Sequence, residues 1–544
     1  RALAGLLAVV AAMMVALPAA TAQQQIPSRV EIAWNRFYDY NELTARLQEL
    51  ADAYPELLTL TSIGRSEQGR DIWLVILNND DTGPHDAKPA MYIDGNVHAN
   101  EVQAAETVVY SIWYLTKSYG AVEPLTELMD RVSFYFVPIV NPDMRQYWFD
   151  EPNTPHSART GPRPTDNDHD GRLDEDGPDD LNGDGHLGLM WRFDPGGAFR
   201  RNRDDPRIIE RVEPGQQGEL TWAGREGIDN DGDGRLNEDG PGGYDMNRNW
   251  PGGWRPNYVQ SGAGHYPLDR PETRCIAEFI LDHPNIAAGQ SYHNTGGMVL
   301  RGPGAHFRAD LYPTADRRIY DRFGQAGEEM LPFYNYWVIH ADLYTVHGGF
   351  VTWLAESLGI VSFTNELWTP RRVLQNPDRT WDAEARLRWE DRLLFGQNRT
   401  DMTEFDHPTL GRVLIDGGTK YSSRTPPPFM LEEECHRNFA FTVFHAKHMP
   451  ELRFSWINVE PLSPETWQIT VEITNERIIP TRLSLAASKN IGLPDRIRLD
   501  GEDVEVLAAG PLRSRVDTAF DAVDHRPDEL LVETGIPSQG RRTF

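Results

Sequence analysis

Between Tyr38 and Tyr54 the apolar positions Leu43, Leu47, Leu50 and Ala51 recur every three to four residues, which predicts an amphipathic helix with one buried stripe. Short apolar runs follow at residues 72–77, 91–93 and 132–140, with a long helical pattern at 104–117 between the last two. Runs of this length read as strands, and strands alternating with helices predict an α/β domain with a mixed central sheet and helices on both faces. The alternation breaks at residues 166–243, where Asp, Gly and Asn dominate and only 189–222 is less acidic; this segment is expected to be loop, not core. From Ala287 to about Met449 the α/β pattern resumes, with helices predicted over 319–331 and near 438–448. Beyond Pro450 the texture is strand-like, alternating at 467–473 and partly at 482–486, with Pro464, Pro480 and Pro494 as punctuation. A small C-terminal all-β sandwich over 450–544 is expected, after a catalytic-type domain over 23–449 with acidic insertions at about 164–243.

Composition adds a compartment and a partner class. Residues 1–22 run through an apolar stretch, past Pro18, to Ala20-Thr21-Ala22, the pattern of a secretory signal peptide with a small-x-small cleavage site. A secreted or periplasmic protein follows, with no stable membrane insertion after cleavage, because no later stretch is long and apolar enough to span a bilayer. Asp and Glu outnumber Lys and Arg by 82 to 53, a formal charge of -29. That excess argues against nucleic acid or an anionic membrane surface and points to bound cations. Of the 2 cysteines, Cys275 and Cys435, a single disulfide is possible, but sequence leaves it open.

Candidate chemistry begins where residues 91–101 end a predicted strand and open a helix, with His98 and Glu101 three apart at the carboxyl edge of the sheet, where open α/β sheets bind ligands. Imidazole and carboxylate suit Zn²⁺, and a catalytic zinc takes three protein ligands and keeps a position for water. A lone HisXXGlu is a common coincidence. It gains weight from Gly-Tyr-Asp-Met-Asn-Arg-Asn-Trp at 243–250, Ser-Tyr-His-Asn at 291–294, and the stretch 344–367 that ends in Ser-Phe-Thr-Asn-Glu-Leu.

That ordered set resembles the zinc metallocarboxypeptidase family typified by carboxypeptidase A, over about residues 35–449. The resemblance implies zinc ligands His98, Glu101 and His293, and Glu366 as the base that takes a proton from water and returns it to the leaving amine. It implies Arg192, after Trp191, as the cation facing the tetrahedral oxyanion. Asn247 and Arg248 would grip the free carboxylate of a peptide or protein C-terminus, and Tyr344 would close over it. Val351 maps to the base of the specificity pocket, with Gly304 and Ile339 near its wall. No acidic residue among them favours Lys or Arg, so an apolar C-terminal residue is expected, unless Arg301 recruits an acidic one.

Three acidic segments share the pattern Asp-x-(Asp/Asn)-x-Asp-Gly: Asp166, Asp168 and Asp170; Asp180, Asn182 and Asp184; Asp229, Asp231 and Asp233. Alternating oxygens with Gly at the sixth place resemble the first half of an EF-hand loop, so Ca²⁺ is expected beside Zn²⁺, although Gly177 and Gly240 stand where the closing Glu would be. The rival readings are a peptidoglycan stem-peptide amidopeptidase on the same scaffold, a silent binding module that keeps the groove, and a calcium-dependent adhesion protein.

Overall fold

The structure, a computed structural model, describes residues 26–374, 382–517, 519–523 and 525–544; the expected signal peptide lies outside the described residues. The first predicted helix forms at Tyr40–Ala53, begun by a capping box in which Asp39 and Glu42 satisfy each other's backbone N–H. It is followed by strands β1 (Leu58–Arg65), β2 (Asp71–Leu77), β3 (Ala90–Gly95) and β4 (Ser133–Val137). Strands β9 (Ile286–Asn294), β10 (Met298–Arg301), β11 (Asn335–Val338) and β12 (Val361–Leu367) complete an eight-stranded mixed sheet of order β1-β2-β4-β3-β9-β12-β10-β11. Its centre is parallel, β4 with β3, β3 with β9 and β9 with β12.

Both faces of this sheet are covered, as the unbroken apolar runs of its inner strands demand. Side chains alternate between two layers. Met91, Ile93, Phe134 and Phe136 face helices Tyr40–Ala53, Gln103–Ser118, Thr314–Met330 and Pro428–Lys447, while Ala90, Tyr92, Tyr135 and Val137 face helices Pro271–Asp282 and Phe350–Leu358. Cys435 is buried in the first layer and Cys275 packs against the second; both are free thiols, so the disulfide left open by the sequence does not form.

Two expectations are corrected. The segment 189–222 is not loop: β5 (Leu189–Phe193), β6 (Phe199–Arg201), β7 (Ile209–Arg211) and β8 (Leu220–Arg225) join β13 (Thr403–His407) and β14 (Gly411–Asp416) in a six-stranded sheet of order β13-β14-β5-β8-β6-β7. Its partners are distant in sequence. Its two small cores, Met190 with Val413 and Ile415, and Trp191 with Leu220 and Leu414, exist only once β14 pairs with β5. Residues 482–486 are not a partial strand either, because helix Ser484–Lys489 forms there. The reason is tertiary: the Asp316 carboxylate, from helix Thr314–Met330, accepts from Ser484 N at 2.8 Å and Leu485 N at 2.9 Å and so caps the new helix.

The rest of the β-rich region beyond 450 is a three-stranded sheet, β15 (Leu452–Ser463), β16 (Thr466–Asn475) and β19 (Gly540–Thr543), and a two-stranded sheet, β17 (Asp495–Arg498) and β18 (Glu529–Val532). They meet over Ile473, Val532 and Ile536, with Ile497 packed against them. No helix among the described residues is long and apolar enough to cross a membrane.

Candidate functional site

Three neighbouring parallel strands deliver the four principal residues. His98 and Glu101 lie in the loop after β3, His293 near the end of β9, and Glu366 on β12 with its Cα in register with that of His293. The loop after β3 is held from below. Asn96, at φ 58°, donates its amide to the carbonyls of His98 (2.9 Å), Ala99 (3.0 Å) and Glu101 (3.1 Å). Arg145, wholly buried, donates in turn to Asn96 Oδ1 and to Val102 O, both at 3.0 Å, and pairs with Glu106 at 2.7 Å.

His98, Glu101 and His293 are 2 %, 1 % and 1 % exposed, and their ligand atoms lie within 4.8 Å of one another. His98 Nδ1 stands 3.1 Å from Glu101 Oε1, His293 Nδ1 stands 2.9 Å from Glu101 Oε2, and the two Nδ1 atoms are 3.1 Å apart. Two imidazole nitrogens and a carboxylate converging in a buried site fit Zn²⁺. The far side of His98 agrees: its Nε2 is 3.0 Å from Asp245 Oδ1, an arrangement that fixes the proton on Nε2 and leaves Nδ1 free to ligate. Burial opposes charge on Glu101, but His98 and His293 outweigh it and hold the carboxyl well below its usual range. Burial likewise opposes charge on Asp245, and Arg248, His98 and Arg159 overcome it. Glu366 goes the other way: burial first and the Glu101 charge second push it up to about 7, against His293, Arg424 and Arg159.

Around this cluster stand the residues expected to hold substrate. Asp245 caps the turn Met246–Arg248 by accepting from Asn247 N at 2.8 Å. Asn247 then reaches two ways, its Nδ2 lying 3.3 Å from His293 Nε2 and its Oδ1 accepting from Phe350 N at 2.9 Å. Arg248 is buried beside it and donates to the Asn247 carbonyl at 2.8 Å. Tyr344 is 51 % exposed, whereas Val351 and Ile339 are buried in the apolar layer at helix Phe350–Leu358. Gly304 admits no side chain, since a Cβ there would lie 2.4 Å from the Val346 carbonyl. Arg301 donates from Nε to Tyr336 Oη at 2.6 Å, and its Nη2 lies 3.6 Å from Asp321.

The structure does not bring Arg192 into the cluster. It lies on β5 in the second sheet, 47 % exposed, with its guanidinium 3.2 Å from Asp194. The cations at the ligands are Arg159, with Nη1 3.0 Å from Glu101 Oε1 and Nε 3.5 Å from Asp245, and Arg424, whose Nη2 is 3.0 Å from the same Glu101 oxygen. Sequence reasoning passed over both, and over Asp245, which had a signal at the head of the 245–250 segment. Arg159 and Arg424 had none, since each enters from an irregular segment far along the chain from Glu101.

Of the acidic loops, Asp166 and Asp168 gather with Asp239, Asp168 and Asp170 with Glu175, and Asp229, Asp231 and Asp233 with one another. The loop of Asp180, Asn182 and Asp184 does not gather so: Asp180 accepts from Gly183 N, Asp184 N and Gly185 N, and among the described residues no third acidic group joins Asp180 and Asp184.

A buried His₂Glu set at the carboxyl edge of a mixed α/β sheet, with a further carboxylate, Glu366, on the next strand, has the donor set of a zinc-hydrolase site. The zinc carboxypeptidase family model matches residues 43–172 and 216–391, more than half the chain, and the protein belongs to that family. A second model, of a domain of unknown function, matches 451–529. The chain is 35 % identical over 116 residues to carboxypeptidase B of Astacus astacus, covering 21 % of this chain and 36 % of that protein. It is 28 % identical over 124 residues to a zinc carboxypeptidase of Saccharothrix mutabilis subsp. capreolus, covering 23 % and 27 %. The alignments thus span about a third of these relatives' own length. The crystal structure of carboxypeptidase A from Helicoverpa armigera is similar at a TM-score of 0.46 and 16 % identity, covering 80 % of both chains.

Proposed function

We propose that this protein is an exported metallocarboxypeptidase that removes the C-terminal residue from peptides with a free carboxylate and prefers an apolar residue there. The observation that carries the reading is the contact between Asn247 and His293: it sets the carboxylate-recognising pair Asn247 and Arg248 against the buried ligand cluster. His98, Glu101 and His293 would hold a zinc ion, which when bound would supply Lewis acidity toward water and the scissile carbonyl.

The chain's own residues do the rest. Glu366, half-buried and raised toward neutrality, takes a proton from the attacking water and hands it to the leaving nitrogen. Arg159, about one-third exposed and fixed by Glu101 and Asp245, offers a cation where negative charge develops on the carbonyl oxygen. Arg248 receives the terminal carboxylate, for which a planar guanidinium presents two parallel donors. Tyr344 covers the substrate, and Val351 and Ile339 give its last side chain an apolar seat that would leave a Lys or Arg unpaired.

The deciding assay compares blocked dipeptides with free and with amidated C-termini. Release from the free terminus alone, abolished in Glu366→Gln, is expected. Equal turnover of both would remove Arg248 from its role, and turnover confined to muropeptides would move the activity to cell-wall stem peptides.

A further inference from the structure

The loops at 166–176 and 229–239 differ only at His169/Gly232 and Asp174/Asn237. They fold alike and clasp each other about a local two-fold. Asp239, fully buried, accepts from Asn167 N (3.0 Å) and Asp174 N (3.1 Å) of the first loop, and Asp176 accepts from Asn230 N (3.1 Å) and Asn237 N (2.8 Å) of the second. These closing carboxylates are therefore satisfied by backbone donors. Their neighbours are not: both carboxylate oxygens of Glu238 are buried without a hydrogen-bond partner, as is Glu175 Oε2.

What surrounds Glu238 is more negative charge. Its carboxylate lies in one cluster with Asp233 of its own loop and Asp168 of the other, ligand atoms within 4.8 Å of one another. The nearest arginines stay outside: Arg172 and Arg235 are 60 % and 71 % exposed, and approach Asp170, Asp231 and Asp233 only to 3.8–4.0 Å. A half-buried carboxylate whose two oxygens lack a donor and face two like charges is relieved either by taking up a proton, its carboxyl being pushed up to about 7 by burial and by Asp176 and Asp233, or by a cation that keeps it ionised. All-oxygen donors at separations below about 5 Å match the span across an ion that binds oxygen at 2.3–2.6 Å, and such an ion is calcium.

We propose that a calcium ion bridges the two loops, with Glu238 and Asp233 from one and Asp168 from the other as ligands. Glu238 occupies the tenth place of its loop and replaces the absent closing Glu by reaching across the clasp. The ion's location gives it a role. Residues 166–239 leave and re-enter the catalytic layer by adjacent stems, joined by Gly161 N to Tyr244 O at 2.9 Å. Immediately beyond that bond stand Arg159 and Asp245, both at the ligand cluster. An ion that closes the clasp thus holds the stems that position those two side chains.

The test uses the full chain loaded with zinc. Calcium chloride is titrated by calorimetry, and thermal unfolding is followed at each concentration with magnesium chloride as control. Wild type is expected to show a saturable calcium-dependent rise in Tm. Glu238→Gln is expected to weaken the apparent affinity about tenfold or more through loss of a ligand charge, while Asp180→Asn in the third loop leaves it unchanged. No calcium heat in wild type, or Glu238→Gln binding as wild type does, overturns the proposal. So does a Glu238→Gln protein that is simply more stable and has no calcium response to lose, because the loops then tolerate their charge without an ion. The role at the stems rests on the peptidase reading, and peptide hydrolysis is measured separately. Calcium binding in a chain that hydrolyses no peptide sinks that reading and leaves the bridge standing.

Discussion

Arg145→Met isolates the support beneath the ligand loop. The guanidinium donates to Tyr38 O from Nε (3.1 Å) and from Nη2 (2.5 Å), to Asn96 Oδ1 and Val102 O (both 3.0 Å), and to Glu106 (2.7 Å). Methionine fills similar space but leaves Glu106, also wholly buried, without its counter-ion. Breaking a buried pair from one side costs about 3–5 kcal/mol, because the stranded charge loses its compensation, whereas replacing both members can be nearly neutral. At roughly 2 °C per kcal/mol for a long chain, the single substitution should lower Tm by about 6–10 °C. Arg145→Met/Glu106→Gln should recover more than half of that. Zinc affinity, measured by chelator competition, should fall in the single variant, since Asn96 loses the donor that anchors it under His98 and Glu101. The assays are denaturant and thermal unfolding of the zinc-loaded protein. A single variant within about 1 kcal/mol of wild type, or a double variant whose cost is the sum of the singles, would refute the claim that this pair is a coupled anchor.

Arg159→Ala should reduce kcat/KM by about 10²-fold or more, in the range of a lost oxyanion donor, and Arg192→Ala should stay near wild type; steady-state kinetics showing the reverse would restore Arg192 to the site. Asp245→Asn should weaken zinc binding by about 10–100-fold, and an unchanged affinity in competition with a chelator would mean that His98 needs no oriented partner. Glu451 joins Arg131, Arg453 and Arg477 where the C-terminal β region meets helix Glu123–Arg131; burial opposes its charge, but Arg453 and Arg477 hold it down at about 2. A carboxyl depressed in the folded state contributes stability that is complete above its unfolded value of about 4.5 and is lost as pH falls toward 2, so Glu451→Gln should flatten the acid limb of the stability profile between pH 4.5 and 2, and parallel limbs would contradict the assignment.

Sequence by itself determined the elements whose burial is dictated locally. The stripe Leu43, Leu47, Leu50 announces its helix and the runs in β2, β3 and β4 announce buried strands, because one face or both must leave water whatever the rest of the chain does. The residues His98, Glu101, Asn247, Arg248, His293 and Glu366 were picked out by the resemblance of their ordered motifs to a known family, and the fold then brings His98, Glu101 and His293 together with Asn247 against His293. Tertiary structure alone decided the others. Residues 189–222 became a sheet because β14 lies far along the chain, and 484–489 a helix because Asp316 supplies the missing cap. Arg159 in place of Arg192, and Arg424 beside it, follow from where irregular segments return to the sheet edge, which no local period encodes. The acidic loops divide along the same line: their repeat and their negative charge are written in the residues, but the meeting of Glu238 with Asp168 depends on two loops clasping in space, since charges so far apart in sequence interact only once the fold has brought them together.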